Sequence, residues 1–98
     1  MIIAKERNNG SLTMKLEGRL DAVTSPLLEE ELNTSLDGVN DLTFDFSRLE
    51  YLSSAGFRVL IIAYKKMYGQ GTLKVINANE LVQEAFRLTR VSDIISIS

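Results

Sequence analysis

Ninety-eight residues leave room for one domain, which would bury roughly two thirds of the surface of its unfolded chain. The 45% hydrophobic and 24% charged residues are ordinary globular usage and favour neither a disordered nor a membrane chain; eleven basic against thirteen acidic residues, with no long basic block, give a net charge of −2 and argue against a nucleic-acid partner. Cysteine and histidine are both absent, which removes disulfides, thiolate metal sites and the usual general base of serine and cysteine hydrolases.

The chain opens with two predicted antiparallel strands, Ile2 to Arg7 and Leu12 to Glu17. Between them lies Asn8-Asn9-Gly10-Ser11, whose Asn-Gly pair suits a tight hairpin turn. In the second strand Leu12, Met14 and Leu16 alternate with Thr13, Lys15 and Glu17, the pattern of a sheet with one buried face, and Gly18 is expected to end it. Thr24 and Ser25 are candidate caps for a helix from about Pro26 to Ser35. Its Leu28, Leu32 and Leu36 make one apolar stripe, Glu29, Glu30 and Glu31 suit the positive end of its dipole, and Asp37-Gly38 closes it.

Leu42 to Phe46 read as a third strand and Thr72 to Ile76 as a fourth. The apolar run Gly56 to Tyr64 between them fits a buried strand or a buried helix, but joining two parallel strands needs a crossover of a dozen or more residues, usually helical. The topology therefore predicts a helix over Ser54 to Tyr68. Asn79 is placed to cap a last helix carrying Leu81, Val82, Ala85, Phe86 and Thr89 at helical spacing, and the tail from Ile94 to Ser98 adds a short strand or packs irregularly. The sum is a single α/β domain over residues 1–98: a mixed four- to five-stranded sheet, opened by a β-hairpin, with helices packed on it.

The informative segment is Asp45 to Phe57, read as a strand end, a short loop and the start of a helix. In open α/β sheets, ligands and partners approach the carboxyl ends of strands, where a helix start presents unpaired N–H groups. A serine there accepts a phosphoryl group or merely caps the helix, and spacing alone leaves both readings open. Asp45 and Ser47 do not make a hydrolase site without a histidine or a nearby lysine as base, so a hydrolase using Ser53 or Ser54 ranks far below the other readings. The six glycines include no phosphate-binding Gly-x-x-x-x-Gly-Lys-Ser/Thr run, and no cofactor is expected. No stretch of about 18 apolar residues and no basic-then-apolar leader occurs, so membrane insertion is not expected and a cytoplasmic location is.

Asp45-x-Ser47 followed by Tyr51-Leu52-Ser53-Ser54-Ala55-Gly56-Phe57-Arg58-Val59-Leu60 resembles the signature of STAS domains, named for sulphate transporters and anti-sigma factor antagonists. Gly18-Arg19-Leu20-Asp21-Ala22 is similar to the segment before that family's first helix, Leu73 to Asn77 to its late strand, and Val82 to Ser92 to its closing helix and turn. The resemblance implies an anti-sigma factor antagonist that is not itself an enzyme. Unphosphorylated, it would bind an anti-sigma factor with serine kinase activity and so release a sigma factor. Phosphorylation of Ser54 would end the contact, and a PP2C-type phosphatase would reset it. By the same resemblance Asp21, Ser53, Ser54, Ala55, Gly56, Phe57 and Arg58 form the partner surface. The chain departs from the family in having Ser53 where many phosphorylated members have aspartate, which leaves Ser53 as a cap, as an acceptor in its own right, or as the mark of a member that is not phosphorylated. The alternative within the family is an accessory subunit making a constitutive contact in an ABC-type lipid-transport or other regulatory assembly.

Overall fold

The computed structural model describes all residues, Met1–Ser98. Five strands form one sheet in the order β1-β2-β3-β4-β5: β1 (Ile2–Asn8), β2 (Ser11–Leu20), β3 (Asp41–Leu52), β4 (Thr72–Ile76) and β5 (Ser96–Ile97). The first pair is antiparallel and the rest are parallel. Each parallel step is bridged by a helix, α1 (Ser25–Ser35), α2 (Ser54–Met67) or α3 (Glu80–Leu88), the last followed by a single 3₁₀ turn at Val91–Asp93.

Alternation along the strands places the core. Leu12, Met14, Leu16 and Leu20 of β2 and Leu42, Phe44 and Phe46 of β3 are buried and join one cluster with Leu28, Leu32 and Leu36 at α1, Val59, Leu60, Ala63 and Met67 of α2, and Val82 and Phe86 of α3. Thr13, Lys15 and Glu17 point to the opposite, half-open face. The apolar stripe of α1 and the helical reading of Ser54 to Tyr68 are thus both realised, since only the helix supplies residues to the core from 59, 60, 63 and 67 together.

Three local expectations change. Gly18 does not end β2: it adopts a positive φ of 105° within the strand, at one of two places where the β2–β3 register slips. Phe46 does not end β3 either; the strand continues to Leu52, so what read as a loop after the Asp45 motif is paired backbone. Two extra residues on β3 are absorbed as bulges, which raise local twist and re-aim side chains at this end of the sheet. At α1, Thr24 occupies the cap position without a side-chain cap bond, because its hydroxyl donates to the Arg19 carbonyl at 2.7 Å. No acid lies in that helix's first turn; Glu31 pairs instead with Lys5 of β1 at 2.6 Å.

Candidate functional site

The carboxyl ends of β2 and β3 and the first turn of α2 converge on Leu20. The Ser53 N–H donates to the Leu20 carbonyl at 2.9 Å, fixing the start of α2 to the last residue of β2. Gly56 then brings the helix onto this point. A Cβ built there would lie 2.8 Å from the Leu20 carbonyl oxygen and 2.6 Å from Leu52 Cδ1, so only glycine allows the approach. Gly56 is itself buried, and it sets how closely the start of α2 lies on the sheet.

The two serines divide the work. Ser53 is extended (ψ 175°) and caps α2, its Oγ accepting from the Gly56 N–H at 3.3 Å. Ser54 is the first helical residue, exposed, and its hydroxyl makes no hydrogen bond within the chain. Thermal unfolding checks this division. Ser53→Ala is expected to cost about 1 kcal/mol, lowering Tm by about 5 °C, whereas Ser54→Ala stays within about 0.5 kcal/mol of the parent. Equal losses in the two variants would refute the assignment of the cap.

Asp21 lies on the same end of the sheet, one residue past Leu20, but its carboxylate is turned onto its own loop. Oδ1 accepts from the Val23 and Thr24 N–H groups at 3.0 and 3.1 Å, and Oδ2 lies 3.7 Å from the Arg19 guanidinium. The Thr24 N–H holds the carboxyl below its ordinary range; partial desolvation opposes this, and the Val23 N–H, the Thr24 hydroxyl and Arg19 add to it. Asp21 therefore sets the shape of the β2–α1 loop, with its side chain only partly exposed. Arg19 also stacks 4.2 Å over the Tyr51 ring, tying the two loops' flanks together.

Phe57 is half-buried and packs on Phe86 of α3, with ring centroids 5.1 Å apart, so it is a core contact with one exposed edge. Ala55 is half-buried and Arg58 exposed. Asp45, read from sequence beside Ser47, accepts from the Ser47 N–H at 2.9 Å and from Asn77 Nδ2 at 3.1 Å. Desolvation pushes its carboxyl upward, but those hydrogen bonds and Lys15 outweigh it and the net shift is down. It ties the middle of β3 to Asn77, the residue that follows β4.

Sequence reasoning missed the apolar border of the site. Tyr51, Leu52, Leu81, Val82, Ala85 and Leu88 line an open groove of about 290 Å³ between the end of β3 and α3. Leu81 sat on the predicted apolar face of the last helix, yet it and Leu88 are each 69% exposed, while Val82 and Phe86 carry the packing. Leu88 lies about two helical turns beyond Leu81, on the same edge of α3.

A family model described as the STAS domain matches residues 2–98 of this sequence. The chain belongs to the STAS domain family. Among STAS relatives, the anti-sigma-B factor antagonist of Bacillus subtilis (strain 168) is 29% identical over 94 residues, covering 95% of this chain and 86% of the relative. The anti-sigma-B factor antagonist of Listeria monocytogenes is 29% identical over 96 residues, covering 95% and 83%. Two solved structures share the STAS fold. An anti-sigma factor antagonist from Mycobacterium paratuberculosis superposes with a TM-score of 0.88 at 24% identity, covering 98% of this chain and 83% of that one. The Bacillus cell fate determinant SpoIIAA in its phosphorylated form gives 0.78 at 15% identity, covering 99% and 91%. In this STAS chain no helix is long and apolar enough to cross a membrane.

Proposed function

We propose that the chain is a cytoplasmic anti-sigma factor antagonist controlled by phosphorylation of Ser54. Unphosphorylated, it binds an anti-sigma factor that has serine kinase activity, and the sigma factor held by that partner is released. The kinase transfers the γ-phosphoryl group of its own ATP to Ser54 Oγ, the hydroxyl proton passing to a base on the kinase. This chain then needs neither a nucleotide site nor a general base. A PP2C-type phosphatase hydrolyses the phosphoester and restores the binding form.

The observation that carries the reading is the exposed, unbonded Ser54 hydroxyl at the first residue of α2, beside a Ser53 that is already committed as the cap. A phosphate at that position adds about −1.5 to −2 charges near neutral pH without disturbing the Ser53 cap, and in the free protein it faces the positive end of the helix dipole. Asp21, Ala55, Phe57 and Arg58, each at least partly exposed, complete the proposed contact face, and the names of the Bacillus and Listeria relatives support the regulatory role.

Intact-mass analysis with site mapping tests this on protein isolated from its native cells, alongside Ser53→Ala and Ser54→Ala variants. A phosphate mapped to Ser54 and lost only in Ser54→Ala is the expected result. Unmodified protein under growth and stress alike would overturn it and favour a constitutive contact in a transport or other assembly.

A further inference from the structure

Five of the six arginines are engaged within the chain. Arg7 donates to the carbonyls of Asn9 and Asp37 at 3.1 and 2.8 Å, and Arg19, Arg48, Arg87 and Arg90 face Asp21, Glu17, Glu84 and Asp93 respectively. Arg58 is the exception: exposed, and without a carboxylate, carbonyl or aromatic partner. Its own helix offers none, because Ser54–Met67 (SAGFRVLIIAYKKM) contains no acidic residue. The residue four positions before Arg58, on the same helical face and also exposed, is Ser54.

We propose that Arg58 is the intramolecular counter-ion of a phosphate on Ser54, so that phosphorylation both adds a charge to the contact face and withdraws the free guanidinium which that face otherwise offers a partner. The proposal rests on Ser54 being the acceptor. Residues four apart on a helix are neighbours, with Cβ atoms about 5–6 Å apart, and an anion on the N-terminal side of a cation is the favourable order for such a pair. A guanidinium takes two phosphate oxygens at once, which a lysine ammonium does not match in geometry. In the unmodified chain Arg58 is thus a solvated cation one helical turn from position 54, placed to pair with a dianion there. Arg58 is a positioning residue here: it touches the phosphate but takes no part in its transfer.

The test installs phosphoserine at position 54 during synthesis, independently of any cellular kinase, in the parent, Arg58→Gln and Arg58→Lys. In the parent, phosphorylation is expected to raise Tm by about 3 °C at low salt, a gain that shrinks at ~0.5 M salt. Arg58→Gln should lose at least half of that gain and Arg58→Lys fall between Arg58→Gln and the parent, while the three unphosphorylated proteins melt together. The Nε–Hε resonance of Arg58 should shift on phosphorylation, with those of the five paired arginines unmoved. An equal gain in Arg58→Gln, or an Arg58 resonance that ignores the phosphate, overturns the proposal. Because the phosphate is supplied synthetically, either result leaves the assignment of Ser54 as the cellular acceptor to the mass measurement.

Discussion

Gly56→Val is expected to lose about 3 kcal/mol of stability, a fall in Tm of about 15 °C, and Gly56→Ala about half as much. Removing a glycine from an exposed helix interior normally stabilises by up to about 1 kcal/mol, so the predicted sign is opposite to the propensity argument. The reason is geometric. A Cβ at this position would meet the Leu20 carbonyl oxygen at 2.8 Å, Leu20 Cγ at 2.9 Å and Leu52 Cδ1 at 2.6 Å. Leu52 can rotate, but Leu20 cannot retreat: it is fully buried and its carbonyl already accepts the Ser53 N–H. Relief requires lifting the first turn of α2 off the sheet, which weakens that hydrogen bond and the packing of Val59 and Leu60 behind it. Thermal unfolding of the two variants decides the matter, and an Ala variant more stable than the parent would show that the close approach is not a constraint.

Elements whose signals are local were legible in the sequence. The hairpin followed from Asn9-Gly10, and Asn9 does take the positive φ (56°); the third helix followed from Asn79, whose side chain accepts from the Val82 N–H at 2.8 Å. The second helix needed one non-local step, the crossover between parallel strands, and that step was enough. The extension of β3 to Leu52 was not legible. Ser47, Arg48 and Glu50 break the alternation that announces a strand, and the pairing of Arg48, Leu49, Tyr51 and Leu52 exists only because β2 also continues, through Gly18, to Leu20. A register slip stored in two strands at once leaves no mark in either sequence taken alone.

The candidate site shows the same limit. The resemblance assigned Ser53 and Ser54 to one surface, but which of them caps the helix depends on where the backbone turns from extended to helical, and a boundary is uncertain by a residue or two from sequence. Here the turn falls after Ser53, whose extended backbone lets its Oγ reach the Gly56 N–H, and this leaves Ser54 free. Asp21 was legible as a turn residue and as a surface acid; it is both, since one oxygen holds the loop and the other points to Arg19 at the surface. The exposure of Leu81 and Leu88 was not legible, because it depends on how α3 rolls when Phe86 seats against Phe57.

On the proposed function, phosphorylation of Ser54 is expected to weaken binding to a kinase-type anti-sigma factor about a hundredfold, equivalent to ~2.8 kcal/mol. Ser54→Ala should bind within about threefold of the parent, since an exposed hydroxyl with no partner in the chain contributes little beyond its surface. Ser54→Asp should fall between the two: it supplies one charge where phosphate supplies nearly two, and it lacks the third oxygen and the bulk. The loss has a screened part and a local part. Raising salt diminishes repulsion acting across solvent but not the desolvation of a phosphate pressed into a packed contact. Titration calorimetry with ADP in place of ATP prevents fresh transfer during the measurement, and repeating it at low and high salt separates the parts. Equal affinity of the phosphorylated and unphosphorylated proteins would end the switch hypothesis. A deficit that vanishes at high salt would instead place Ser54 at the rim of the contact, because a phosphate at its centre would still have to be stripped of water.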